Sequence, residues 1–167
     1  MPLVVVDLFN SIKSVFEDVS QNQKTSLDAA KGLAGAYNSY ASTAMAGVAT
    51  PIFTGAEEAI MTGTLAAVLT PMGAAATFAM ALQNAILSYW LAPPVNFIGT
   101  HPGMVTVAPG VLTLGASLTS VLSNPMNTIE SAAQQMATLI DVATKTVIVT
   151  FFPPPPIPPP PPPMPIV

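Results

Sequence analysis

The sequence predicts a mainly α-helical domain with a C-terminal β-strand and an extended polyproline II tail. Three observations carry this prediction. Apolar residues recur at intervals of three and four in several windows between Leu8 and Ala143, the period of an amphipathic helix. The period drops to two over residues 144–152, as in a strand. Residues 153–167 then hold 11 of the 19 prolines, and proline has a fixed φ and no backbone donor. The expected organisation is a helical domain over 1–152 with its terminal strand or strands, and a proline-rich arm over 153–167.

Residues 3–6 are short and β-prone. From Asp7, a candidate N-cap, Leu8, Phe9, Ile12, Val15, Phe16 and Val19 form one stripe while Lys13, Glu17 and Asp18 take the other face, so the pattern predicts a helix over 8–20. A polar turn over 20–24 precedes an alanine-rich helix over about 27–46, opened by Ser26 and Asp28. Gly32 and Gly35 weaken that helix by about 1 kcal/mol each relative to Ala, which suggests that they admit another backbone closely. Beyond Pro51, Thr54 to Glu57 has the capping-box form and starts a helix over 55–69. Thr70-Pro71 repeats the start signal, proline favouring the first helical position, for a helix reaching Leu91. Residues 92–110, with Pro93, Pro94, Gly99, Pro102, Gly103, Pro109 and Gly110, read as a long loop, the kind that forms a contact surface or a lid. A short helix fits 111–122, and a capping pattern at Asn127 to Glu130 opens a helix over 128–143 with the cleanest apolar stripe in the chain.

In the strand, Val147, Val149 and Phe151 alternate against Thr146, Ile148 and Thr150. Its partner is expected to be either residues 3–6 or a neighbouring subunit. The proline run, at about 3.1 Å per residue, makes a stiff arm that loses little conformational entropy on binding. The expected partner-binding residues are therefore Pro153, Pro154, Pro155, Pro156, Ile157, Pro158, Met164, Ile166 and Val167 of the arm, docked along a neighbouring chain, with Val147, Val149 and Phe151 of the strand. A semi-rigid spacer is the plainer role for the same composition.

Charge decides the class. Only 12 residues are Asp, Glu, Lys or Arg, 7% of the chain against about 25% in ordinary domains. Seven of the 12 lie within residues 1–31, and none lies between Glu58 and Glu130. A free monomer wants a charged, mixed surface, so the deficit points to burial against neighbours in an assembly or to a bilayer. A surface of Thr, Ser, Asn and Gln is the remaining option. Four lysines and no arginine at net charge −4 cannot neutralise a run of phosphates, which argues against nucleic acid. Residues 1–7 lack the pattern of a signal peptide, so synthesis in the cytoplasm is expected.

No catalytic, cofactor-binding or metal-binding residues are expected. The chain has no cysteine and a single histidine, His101, too few for a metal centre or a thiol nucleophile. Glu57 and Glu58 are adjacent and on a helix would point about 100° apart, so first-turn capping explains them better than an acid–base pair. Neither a Gly-x-Ser-x-Gly elbow nor a phosphate-binding glycine motif occurs. The chain is thus expected to be no enzyme and to take no small-molecule substrate. A membrane hairpin over 59–92 ends in Tyr89-Trp90, where an aromatic belt would sit. Against it stand alanine-dominated spans, Gln83 and Asn84 at mid-span and no flanking lysine.

Ala85-Ile-Leu-Ser-Tyr-Trp90, the Pro/Gly/Val loop at 102–110, Ser131-Ala-Ala133 and the run from Ile140-Asp141 to Thr144-Lys-Thr-Val-Ile-Val149 resemble small structural proteins of tailed-bacteriophage particles. The likeness covers about residues 75–150 and brings no functional residues with it. It implies a non-enzymatic subunit of a symmetric virion structure in tail, baseplate, neck or capsid, partnered by copies of itself and other structural subunits. The alternatives are a holin-like membrane protein and an adaptor whose proline arm enters a partner's groove.

Overall fold

The computed structural model describes residues 3–21, 25–69, 74–152 and 161–167. Among them are six helices: α1 (Val5–Ser20), α2 (Ser26–Ala41), α3 (Ala56–Ala66), α4 (Ala75–Leu91), α5 (Leu114–Leu122) and α6 (Ile129–Thr144). Each helix packs on the next, and α6 returns to α1, so the six form a closed ring. Five short strands, β1 (Thr50–Ile52), β2 (Asn96–Ile98), β3 (Gly103–Val107), β4 (Ile148–Phe151) and β5 (Met164–Pro165), make one antiparallel sheet in sequence order. Helices α2, α4 and α6 run into this sheet, while α3 and α5 leave it.

The helices begin where local chemistry can satisfy their free amides. Thr25 and Asp28 form a reciprocal capping box on α2, and the Thr128 side chain accepts from the Ser131 N–H on α6. The capping box expected of Thr54 and Glu57 forms only in part: the Glu57 carboxylate reaches back to the Thr54 N–H at 3.0 Å and to its hydroxyl, but Gly55 is the N-cap of α3 and the Thr54 hydroxyl takes the Ala56 N–H at 3.3 Å. Gly55 intervenes in the left-handed region at φ 86°, a conformation that glycine adopts without steric cost. Gly32 has the role its position suggests, because a Cβ there would lie 2.7 Å from Val15 Cγ2 of α1. The aliphatic stripes of α1 and α6 meet in one core with Leu33, Met61, Leu65, Leu82, Ile86 and Leu118.

Several sequence expectations are corrected. Val5 and Val6 belong to α1 rather than to a strand, since the stripe extends back to bury Leu3 and Leu8. Asp7 consequently sits in the first turn of α1 and does not cap it. Helix α2 stops at Ala41 and α3 at Ala66; the Thr70-Pro71 start signal lies outside the described residues. Residues 111–122 divide into a 3₁₀ turn, Val111–Thr113, and α5. The expected loop over 92–110 contains the hairpin β2–β3, with Asn96 opposite Met104 and Phe97 opposite Gly103. Phe97 and Val105 alternate into the core there, and that burial outweighs the loop-like composition.

The strand expected over 144–152 is shorter, as α6 extends to Thr144. Both its partners come from this chain: β3 on one side and β5 on the other. Met164–Pro165 is therefore an edge strand of the sheet. Residues 153–160, with Pro153, Pro154, Pro155, Pro156, Ile157 and Pro158, lie outside the described residues. No helix among those described is long and apolar enough to cross a membrane.

Candidate functional site

Two features of the sheet carry functional interest, and a third at the ring centre explains why the sheet is held where it is. Tyr37 and Tyr40 stand near the end of α2, Tyr89 and Trp90 near the end of α4, and Asp141 and Thr144 at the end of α6. These helix ends meet beside the sheet. The Trp90 Nε1–H donates to the Tyr37 hydroxyl at 2.6 Å, which in turn lies 3.0 Å from Thr144 Oγ1. Tyr40 donates to Asp141 Oδ1 at 2.7 Å, and Lys145 Nζ holds the other carboxylate oxygen at 2.9 Å. Tyr89 donates to Asn38 Oδ1 at 2.6 Å, and the Asn38 amide donates to Glu58 Oε2 at 2.9 Å. Tyr37 and Tyr89 meet edge-on at 5.0 Å, a favourable ring geometry. Burial raises the pKa of all three phenols, so each stays neutral.

This seam is a cross-brace with its polar atoms committed to one another. Glu57 binds Thr54 while Glu58 binds Asn38, so the two carboxylates do not converge on a common point. Among the described residues no group of three His, Asp or Glu side chains is placed to hold a metal. His101 lies in the β2–β3 turn with Nδ1 buried.

The first feature of interest is the outer sheet face. Paired residues of antiparallel strands point to the same side, so Thr50, Ile52, Asn96, Ile98, Met104, Thr150, Ile148 and Pro165 share one surface. Thr106 joins them, its hydroxyl 3.1 Å from that of Thr150 across the bulge between Val105 and Val107. No side chain on this face is charged. Ile98 is 60% exposed, Val107 48% and Ile52 40%, with Phe152 at 44% just past β4. Exposed apolar side chains grouped on one face make this the candidate surface for contact with a partner.

The second feature is the slot that receives the C-terminal segment. Ile166 donates its N–H to the Val147 carbonyl at 3.1 Å, and Met45 and Val167 exchange both backbone bonds at 2.9 and 3.0 Å. Met45 leads into the Ala46–Ala49 turn and so to β1. The segment thus joins the β4 edge of the sheet back to the β1 end. The Ile166 side chain is fully buried.

The sequence-predicted contact residues separate accordingly. Val147, Val149, Phe151 and Ile166 face the interior of their own chain, because the inward alternation of β4 is what the core uses. Their side chains are not available to a partner in this arrangement. Met164 is half-buried against β4 and Val167 is exposed. Sequence reasoning missed Ile52, Ile98 and Met45. Asn96-Phe-Ile98 and Met104-Val-Thr-Val107 alternate on either side of a Gly/Pro turn, a hairpin signal that could have found Ile98. Comparisons with protein families, with curated proteins and with solved structures return no match for this chain.

Proposed function

We propose that the chain is a non-enzymatic structural subunit of a large symmetric assembly, a bacteriophage virion component of tail, baseplate, neck or capsid. It works beside copies of itself and other structural subunits, after synthesis in the host cytoplasm. The observation that carries the reading is the uncharged outer face of the sheet, with Ile52 and Ile98 exposed on it. A neutral face suits burial between subunits, where an unpaired charge would be costly. The closed helical ring supplies a support for that face, and the proline-rich composition of residues 153–167 suits an arm that docks on a neighbouring subunit.

Light-scattering mass after size-exclusion of the full chain without detergent tests this. The expected result is a defined oligomer that Ile98→Lys, alone or with Ile52→Lys, reduces to smaller species with unchanged helical circular dichroism. A native chain that stays monomeric at every concentration, or one that requires detergent, would overturn the reading.

A further inference from the structure

A sheet meets another chain either by accepting a strand at an edge or by having a face covered. Both edges of this sheet are closed. On the β1 side, Ala46 and Ala49 exchange both backbone bonds in the turn before the strand. Pro51, the central residue of β1, pairs with Phe97; proline in an edge strand turns its missing donor outward. On the β5 side, Ile166 donates inward to Val147 at 3.1 Å, Pro165 has no donor, and Val167 exchanges bonds with Met45. An incoming strand meets no row of free donors on either side. The outer face is the surface left for a partner.

Charge selects the occupant. Residues 92–110 and 146–167, which supply β2 to β5, contain no Asp, Glu, Lys or Arg, and neither does β1. The charged side chains of the described residues stand on or next to α1, α2, α3 and α6. The inner side of the sheet, with Phe97, Val105 and Val149, packs on the core that the helices build. A partner with a charged surface would bury its charges here without a counter-charge, which is costly. A second copy brings the same uncharged Ile/Thr face. Two copies stacked through it keep their helices, which carry the net charge of −4 on each chain, on opposite sides. Contact through the helices would set those like charges against each other.

From these observations we infer that two copies of this chain pack outer sheet face to outer sheet face about a two-fold axis, covering Ile52, Ile98 and Val107 between them. The contact is isologous, the same patch serving on both sides, with the two sheets about 10 Å apart. It rests on the assembly reading, and it names the partner and the mode of contact: a closed pair of faces and not a ladder of strands.

Thr106 is exposed on β3, the central strand, so a charge placed there leaves the core untouched. Full-length Thr106→Lys and Thr106→Glu are measured alone and as an equal mixture, by light-scattering mass and far-ultraviolet circular dichroism. Face pairing predicts that each variant alone loses the native oligomer with unchanged circular dichroism, and that the mixture regains it. The chain has no cysteine, so Met104→Cys, from the middle of the face, places one thiol on each copy. A bis-maleimide spanning roughly 10 Å, the separation of packed sheets, should link it into a dimer of twice the chain mass. Met126→Cys, exposed ahead of α6 at the end of that helix away from β4, sets the background.

Variants that keep the native mass, a mixture that stays dissociated while both variants fold, or Met104→Cys linkage no higher than that of Met126→Cys each overturn the face pairing. A native oligomer in any of these cases leaves the assembly reading standing with its contact elsewhere. A native monomer removes both.

Discussion

Raising the pH through the tyrosine range probes the seam that braces the helix ring. The three tyrosines of the chain, Tyr37, Tyr40 and Tyr89, are all buried. Burial is the largest cause of the upward shift in each case. The Thr144 and Trp90 hydrogen bonds pull Tyr37 partly back. The Asp141 carboxylate, which accepts from Tyr40, pushes that phenol further up, and Tyr37, Glu57 and Glu58 do the same to Tyr89. Each folded-state pKa thus lies above its unfolded value, so stability is fully present below about pH 10 and falls as pH rises beyond it. One such group contributes a slope of at most about 1.4 kcal/mol per pH unit, and three contribute about 4 kcal/mol per unit. Against a net stability of about 5–15 kcal/mol, that slope unfolds the domain within roughly one to four units above pH 10. Phenolate absorbance and far-ultraviolet circular dichroism, followed in one titration, should change together in a single step. Tyr89→Phe should reduce the slope by about 1.4 kcal/mol per unit. A phenolate band that grows near pH 10 while the helical signal stays native would refute the argument.

Five substitutions test the packing by urea unfolding. Ile166→Ala empties a fully buried site and should cost about 2–5 kcal/mol, whereas Val167→Ala, at an exposed position, should change little. Tyr37→Phe strands the Trp90 N–H and the Thr144 hydroxyl, at about 1–3 kcal/mol for each buried group left unpaired. Gly110→Ala places a Cβ 2.6 Å from Thr146 Oγ1, which accepts the Gly110 N–H, and 3.2 Å from Ala143 Cα, so a loss of about 1–3 kcal/mol is expected. Gly63→Ala meets nothing within 4 Å on an exposed helix position and should stabilise by up to about 1 kcal/mol.

Much of the helical frame was legible in residue order. The stripes through Leu8–Val19 and Ile129–Ala143 mark α1 and α6 because a helix buries one face, and burial leaves a period in the sequence. Thr54 and Glu57 announced the start of α3 because their contact is local, although Gly55 takes the cap position between them. The hairpin β2–β3 went unread because Pro93, Pro94, Gly99, Pro102 and Gly103 dominate its composition, while only Phe97 and Val105 turn inward. A strand that short is stabilised by its neighbours β1 and β4, and those neighbours come from distant parts of the chain.

By itself the sequence determined the helical class, the shift to strand at the end of α6, the shortage of charge and the density of proline beyond Phe152. All of these follow from local backbone preference or from composition. Tertiary structure alone decided that Tyr37 lies between Trp90 and Thr144, that Ile52 and Ile98 share an uncharged face, and that Ile166 returns to a core it leaves at Phe151. A proline sets its own φ but not the destination of the chain beyond it. That destination depends on which apolar slot is open, and the slot is assembled from Met45 and Val147, about a hundred residues apart in sequence.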